Sequence, residues 1–321
     1  AEYIGIKGST IQTIAGDPPA PLEGQVWYNS TSTVLKGSGT FISGGAWASG
    51  GNVNTALQNL GGCGIQTAAI KFGGYDPGGN KTINESYDGS SWTEVGDLNT
   101  GRRMMGSAGL QTAALAIGGF VSGEVGVVES WNGTSWTEIA DLNTAGRTRG
   151  LGIQTAALAV GGARPGYAAL TENWNGSAWT EVADLTTGRR DPGAIGTTTA
   201  GLAAGGDTGS ATANVENWNG SSWSETTNMN SARYQLGDAG TQTAALIFAG
   251  IPPSSRVAIT ESWDGSTWTE VADLATARDQ LASAGLQSAA LAISGASGPA
   301  TRTTATEEWT VGQTTKTFTA T

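Results

Sequence analysis

Two sets of charged side chains recur along this chain at spacings that could do chemistry. Carboxylates fall at Glu94, Glu138, Glu181, Glu225 and Glu270, and again three residues on at Asp97, Asp141, Asp184 and Asp273, with Asn228 in that slot of the fifth copy. Paired carboxylates hydrolyse glycosides, one as acid and one as base or nucleophile. A catalytic pair is a singular feature, however, and these pairs occur in nearly every copy, so recurrence points to turn caps or hydrogen bonds between copies. Arginines form the second set. Arg102, Arg147, Arg189, Arg233 and Arg278 read as one position per copy, with Leu57 breaking the set in the first. Guanidiniums crowded around one mouth of a central channel would take an anion or an acidic glycan, whereas pairing with acids of the same period is the simpler use. Arg164, Tyr167 and Arg256, in two distinctive variable loops, are further candidate ligand contacts.

Other chemistries lack their residues. The chain has no His and one Cys, so a His-based triad, an imidazole metal site and a His-activated thiol are all excluded, and no cofactor is expected. Cys63 lies between Gly62 and Gly64 ahead of an apolar run and reads as a small buried hydrophobe, without a partner for an internal disulfide. The net charge of −11 and five scattered lysines disfavour nucleic acid as a partner. No run of eighteen apolar residues and no basic start before an apolar core occurs, so neither membrane insertion nor a secretion signal is expected.

The elements that must position these side chains come from an internal repeat. Glycine pairs, or their one-glycine relics, begin at Gly73, Gly118, Gly161, Gly205, Ala249 and Ser294, in steps of 45, 43, 44, 44 and 45 residues. One Trp per copy keeps the same beat at Trp47, Trp92, Trp136, Trp179, Trp223 and Trp268, and another falls five residues earlier, at Trp131, Trp174, Trp218 and Trp263, with Tyr87 and Trp309 completing that set. A period in the forties, built of short apolar runs and glycine turns, is the signature of propeller blades. Each copy reads as four strands. A run such as Gln111–Ile117 ends in Gly118-Gly119, a variable loop follows, Val127–Trp131 returns, Asn132-Gly133 makes a tight turn with both positions at positive φ, and Ser135–Ile139 closes the unit. Both Trp sets read first as packing: the later Trp of each pair should wedge between blades, and the earlier one, such as Trp174 beside the hairpin, is expected in the core, with partial exposure and a stacked sugar the alternative. Loops that follow the glycine pairs should all emerge on one face, and that face is the expected contact surface.

The sequence resembles the kelch-type β-propeller family. The glycine pair after an apolar strand, an acid and an aromatic before a turn (Glu261, Trp263), a Trp five residues on (Trp268) and an Arg ten further (Arg278) carry the resemblance through six copies. It implies an all-β, six-bladed propeller over residues 46–321. The copper site of kelch-type oxidases does not carry over, because it needs His. The Asp88-Gly89-Ser90-Ser91-Trp92 turn is similar to the Asp-box of sialidase propellers, but the spacing differs and that family's arginine triad has no counterpart here. The copies start at Trp47 in a last strand and end at Trp309 in a third, so the last blade should combine three C-terminal strands with one near Phe41–Ala48, or else with Thr314–Thr321.

Residues 1–45 stand outside the repeat and read as an extended arm, with Asp17-Pro18-Pro19-Ala20-Pro21 a stiff spacer and Gly24–Asn29 leading a hairpin into Val34–Gly37. The segment Pro21–Gly37, followed by Gly45-Ala46-Trp47, is similar to a short segment of tail-fibre, head-fibre and related appendage proteins of tailed bacteriophages. This resemblance implies a non-enzymatic virion component on the exterior of head or tail, docked on other virion proteins through residues 1–45 and turning its propeller to a host-surface glycan or receptor, with homo-oligomers an option. The alternative expectation is a free bacterial propeller that binds glycan or protein.

Overall fold

The computed structural model describes residues 11–19, 25–40, 45–163, 166–252 and 255–318. The chain divides into two units, Ala46–Thr310 and a smaller one composed of Ala1–Gly45 with Val311–Thr321.

The larger unit is built of six four-stranded antiparallel sheets, here blades 1 to 6. In each of blades 1 to 5 the strands run outward in chain order, as in blade 2, where Gly106–Leu110, Ala113–Phe120, Glu124–Trp131 and Trp136–Glu138 pair in sequence. The innermost strands, Gly61–Ile65, Gly106–Leu110, Arg147–Ile153, Gly193–Thr197, Gly237–Thr241 and Ala282–Leu286, each contact the next, and the sixth contacts the first, closing the ring. Glycine is abundant here because the innermost strands crowd one another. A Cβ on Gly150 of blade 3 would lie 2.6 Å from the Ser107 carbonyl oxygen of blade 2. The second strands, such as Ala113–Phe120 and Ala156–Ala163, are buried almost throughout, as their unbroken apolar sequence requires.

Blade 6 closes as the register of the copies implies. Ala46–Ser49 pairs with Thr306–Thr310 as its outermost strand, with Trp47 opposite Trp309. Gln313–Phe318 does not supply that strand. It pairs with Val34–Thr40 in the small unit, so the boundary of the propeller falls at Thr310 and not at 321. Once the N-terminal strand has filled the edge of blade 6, the C-terminal segment has no open ladder there to join.

The small unit is therefore more than an extended arm. Gln12–Ile14 lies parallel to Val26–Asn29, which makes the expected hairpin with Val34–Thr40, and Gln313–Phe318 completes the sheet. Asp17, expected only as the start of a spacer, organises it: its carboxylate accepts hydrogen bonds from Asn29 Nδ2 (2.7 Å) and Trp27 Nε1 (3.2 Å) and pairs with Lys36 (2.8 Å). The Lys36 contact, then Asn29, hold that carboxyl below its ordinary range.

Hairpin turns between the outer two strands differ from the two-residue form. Tyr87 pairs directly with Trp92 and Trp131 with Trp136, so four residues make each turn, and only the glycine takes positive φ, 92° at Gly133. The Asn132 side chain caps the turn instead, its Oδ1 accepting the amides of Thr134 and Ser135, both at 2.9 Å. Asp88 and Asp264 do the same with added hydroxyl donors, and those bonds hold both carboxyls low, that of Asp88 at about 2.

Candidate ligand-binding face

Of the recurring charges, the second acidic set and most of the arginines are consumed within the scaffold. Each Asp of the second acidic set caps the third strand of its own blade. Thr171 N donates to Asp184 Oδ1 and Thr260 N to Asp273 Oδ1, both at 3.0 Å, and Asn228 takes the same role for Val215. The set Glu94, Glu138, Glu181, Glu225 and Glu270 stands exposed on the outermost strands, so no carboxylate pair faces a shared site.

The arginines pair with a third family of acids. Glu129, Glu216, Glu261 and Glu307, on the third strands, each take a buried guanidinium: Arg102, Arg189 (2.5 Å), Arg233 and Arg278 (2.9 Å). Those four arginines have no exposed surface. Burial pulls the pKa of Arg189, Arg233 and Arg278 down, and the facing carboxylate opposes that shift. The same glutamates also accept backbone amides from the linker entering their blade, as Glu129 does from Asn99 (2.7 Å) and Thr100 (3.3 Å). Each clasp thus fastens a linker to the blade it enters, and none of the four guanidiniums is open to a channel mouth.

Two copies depart from this scheme. Leu57 occupies the arginine slot of blade 1, yet Glu85 keeps a cation: Lys71, on the second strand where the other blades carry Ala or Ile, reaches it at 2.5 Å with neither group exposed. Arg147 does not belong to the set. It opens the innermost strand of blade 3 opposite Ala163, remains partly exposed and pairs with Glu124 at 2.7 Å. Counted back from Gln154, the slot equivalent to Arg102 is Ala145.

Both Trp sets are core, Trp47 alone among them being half-buried. Trp131, Trp174, Trp218, Trp263 and Trp309 are at most 4% exposed, the core placement expected of them and not the alternative of partial exposure beside the hairpin, and each donates its Nε1–H to the carbonyl at the preceding Gln or Thr position, as Trp131 does to Gln111 at 2.9 Å. No indole of this set is open to stack on a sugar. The second set bridges blades, with Trp92 donating to Thr306 (3.1 Å), Trp223 to Thr171 (3.1 Å) and Trp47 to Thr260 (3.0 Å). A glutamine latch adds to it: Gln66, Gln111 and Gln242 reach the carbonyls of Trp309, Tyr87 and Trp218 on the preceding blade.

On the axis, the six innermost strands line a cavity of about 130 Å³ whose walls are glycine, alanine and serine with Cys63, Leu151, Ile195 and Asp238. Burial pushes the Cys63 thiol up to about 12. Asp238 joins three blades, accepting Ala194 N (2.6 Å) and Ser283 Oγ (3.0 Å), and burial raises its pKa as well. Among the described residues no group of His, Cys, Asp and Glu is spaced to hold a metal.

The side chains that do not repeat gather at the end where linkers enter and post-glycine loops leave. Bridges Gln58 to Tyr75, Arg103 to Phe120 and Arg190 to Asp207 tie linker to loop there. Arg103 lies over the rings of Tyr75 (4.5 Å) and Phe120 (4.7 Å), Arg147 over Phe120 (5.0 Å), and Arg302 over Tyr75 (5.7 Å). Of the other candidates, Tyr167 is exposed beneath Arg190 at 5.0 Å, Arg256 is held by the buried Asp279 at 2.5 Å, and Arg164 lies outside the described residues. Sequence reasoning placed the loops at one end but missed Arg103 and Arg302. The available signal was a second Arg beside a periodic one, and an aromatic directly after a glycine pair.

No family model matches the sequence, and no curated protein does. A solved structure titled "Structure of YjhT" is similar to this chain at a TM-score of 0.68 and 12% identity, over 83% of this chain and 99% of that one. That likeness joins the ring of four-stranded sheets in identifying the architecture: this chain is an all-β propeller.

Proposed function

We propose that the chain is a non-enzymatic structural protein of a tailed-phage virion, a fibre or decoration subunit outside head or tail, with a kelch-like propeller that binds a host surface or a neighbouring subunit. The observation that carries the reading is the Pro21–Gly37 segment with its appendage-protein resemblance, which contributes a hairpin to a unit separate from the propeller. The division of labour in the larger unit supports it. Periodic acids, arginines and indoles are committed to holding blades together, and the variable polar side chains collect at one end, as in a scaffold that displays loops. Docking on the particle falls to residues 1–45, joined by the strand Gln313–Phe318.

Antibodies against the propeller, applied to purified particles, test the proposal. Labelling of intact virions together with blocked adsorption to host cells is the expected result. Absence of the chain from particles by mass spectrometry would overturn it in favour of a free binding propeller.

A further inference from the structure

We propose that the loop end of blades 1, 2 and 6 is a binding surface for an anionic polysaccharide, centred on Arg103 and Arg302. Of the described arginines, only Arg103, Arg149 and Arg302 lack a carboxylate within ion-pair distance, in a chain whose net charge is −11. All three lie at the same end of the propeller. Arg149 is the weakest of them, because it sits just inside the channel mouth with Asp191 and Asp238 lining the same small cavities. Arg103 and Arg302 share the ring of Tyr75, and Arg103 continues to Phe120.

Stacking of this kind fixes the guanidinium plane and covers its faces while leaving its edges as donors, the geometry that suits a carboxylate or sulfate. The one side-chain hydrogen bond from Arg103 goes to a neutral acceptor, Asn80 Oδ1 at 3.0 Å, and that of Arg302 to its neighbour's carbonyl, Ala300 O at 3.1 Å. Both charges are thus oriented without being neutralised.

Two observations choose the ligand. The two small cavities beside Arg149, about 10 and 20 Å³, have room for a water and not for a sugar, and Arg103 and Arg302 line neither, so a ligand that meets those two side chains lies across the surface. A surface contact with a few separated cations favours a polymer that repeats its charge. Nucleic acid, with a phosphate charge roughly every 1.7 Å, would meet the field of a strongly acidic protein, while a glycan with one acidic group per repeat unit brings far less opposing charge. The inference rests on the host-surface reading above for its biological setting, but not for its chemistry.

Calorimetric titration of the full chain with polygalacturonate and hyaluronate, with neutral dextran and a single-stranded oligonucleotide beside them, tests it. Saturable, salt-sensitive binding to the two acidic polymers and none to dextran is expected. Arg103→Gln with Arg302→Gln should weaken it at least about tenfold. Arg190→Gln, whose arginine is already paired to Asp207, should change it less than twofold, and Arg103→Lys should recover only part of the binding because the planar fork is gone. Equal binding by the double variant with an unchanged melting temperature, binding to neutral dextran, tighter binding to the oligonucleotide, or no saturation with either acidic polymer would each overturn it. A chain that binds the polymers but is missing from particles sinks only the virion role. A chain that labels particles but ignores the polymers sinks only this inference.

Discussion

Blade 1 holds its buried glutamate with a lysine from the wrong strand, and that substitution can be reversed by design. Lys71→Ala would leave Glu85, which has no exposed surface, with only the amides of Asn54 and Thr55 and the Asn54 side chain. Removing one partner of a buried pair costs about 3–5 kcal/mol. At about 1.5–2 °C per kcal/mol for a chain of this size, the melting temperature should fall by roughly 5–10 °C. Leu57→Arg alone should also destabilise, because it adds a second buried cation beside Lys71. The two changes together recreate the clasp of the other blades, an Arg in the linker and an Ala on the second strand, as at Arg102 and Ala116. The double variant should therefore recover most of the loss, a favourable coupling of at least about 2 kcal/mol in a double-mutant cycle read by guanidinium denaturation. If the double variant is as unstable as the two singles added together, Lys71 is not standing in for the missing arginine and the clasp is not a transferable unit.

Four further outcomes follow from other parts of the fold. Residues 46–310 alone should fold and melt cooperatively, whereas 50–310, lacking the outermost strand of blade 6, should aggregate or dimerise on size exclusion through its open edge; a monodisperse 50–310 monomer would contradict this. Trp174→Ala should cost about as much as Trp179→Ala, roughly 3–5 kcal/mol each by chemical denaturation, and a near-neutral Trp174→Ala would refute its core role. The Cys63 thiol, held at about 12, should resist an aromatic disulfide reagent at pH 8 until denaturant is added, and rapid stoichiometric labelling of the native chain would count against its burial. Asp88 and Asp264 titrate below the ordinary 3.8 when folded, so their contribution is present above that value and is lost as pH falls toward about 2; Asp→Asn at both positions should flatten the acid limb of the stability curve while keeping the turns, since Asn132 already caps the same turn in blade 2.

The ring was legible because its landmarks are steric. A glycine pair at positive φ and an indole wedged between blades cannot move without a change of residue type, so they keep time through the sequence. Side-chain pairing was less legible, since a cation needs only to reach a buried carboxylate, and it can do so from another strand. Lys71 shows this, as does Arg147, which falls one residue late when counted from Asp141 and two late when counted back from Gln154. The earlier Trp set left two placements open, because a place beside a hairpin suits the rim as well as the core; its indoles turn inward onto the neighbouring turn. Arg103, Tyr75, Phe120 and Arg302 were hidden for a different reason: they come from linkers and loops of three blades and obey no period.

Ala46 lies directly opposite Thr310, at the two points where the chain passes between its units, and Val34–Thr40 pairs with Gln313–Phe318 on the other side of those crossings. The two ends of the propeller's own stretch of chain thus meet on one rung of blade 6, so they can be joined there and the ring reopened at any other linker between blades without moving a strand. Where the seam lies is a matter of where the chain is cut and not of how the ring is built.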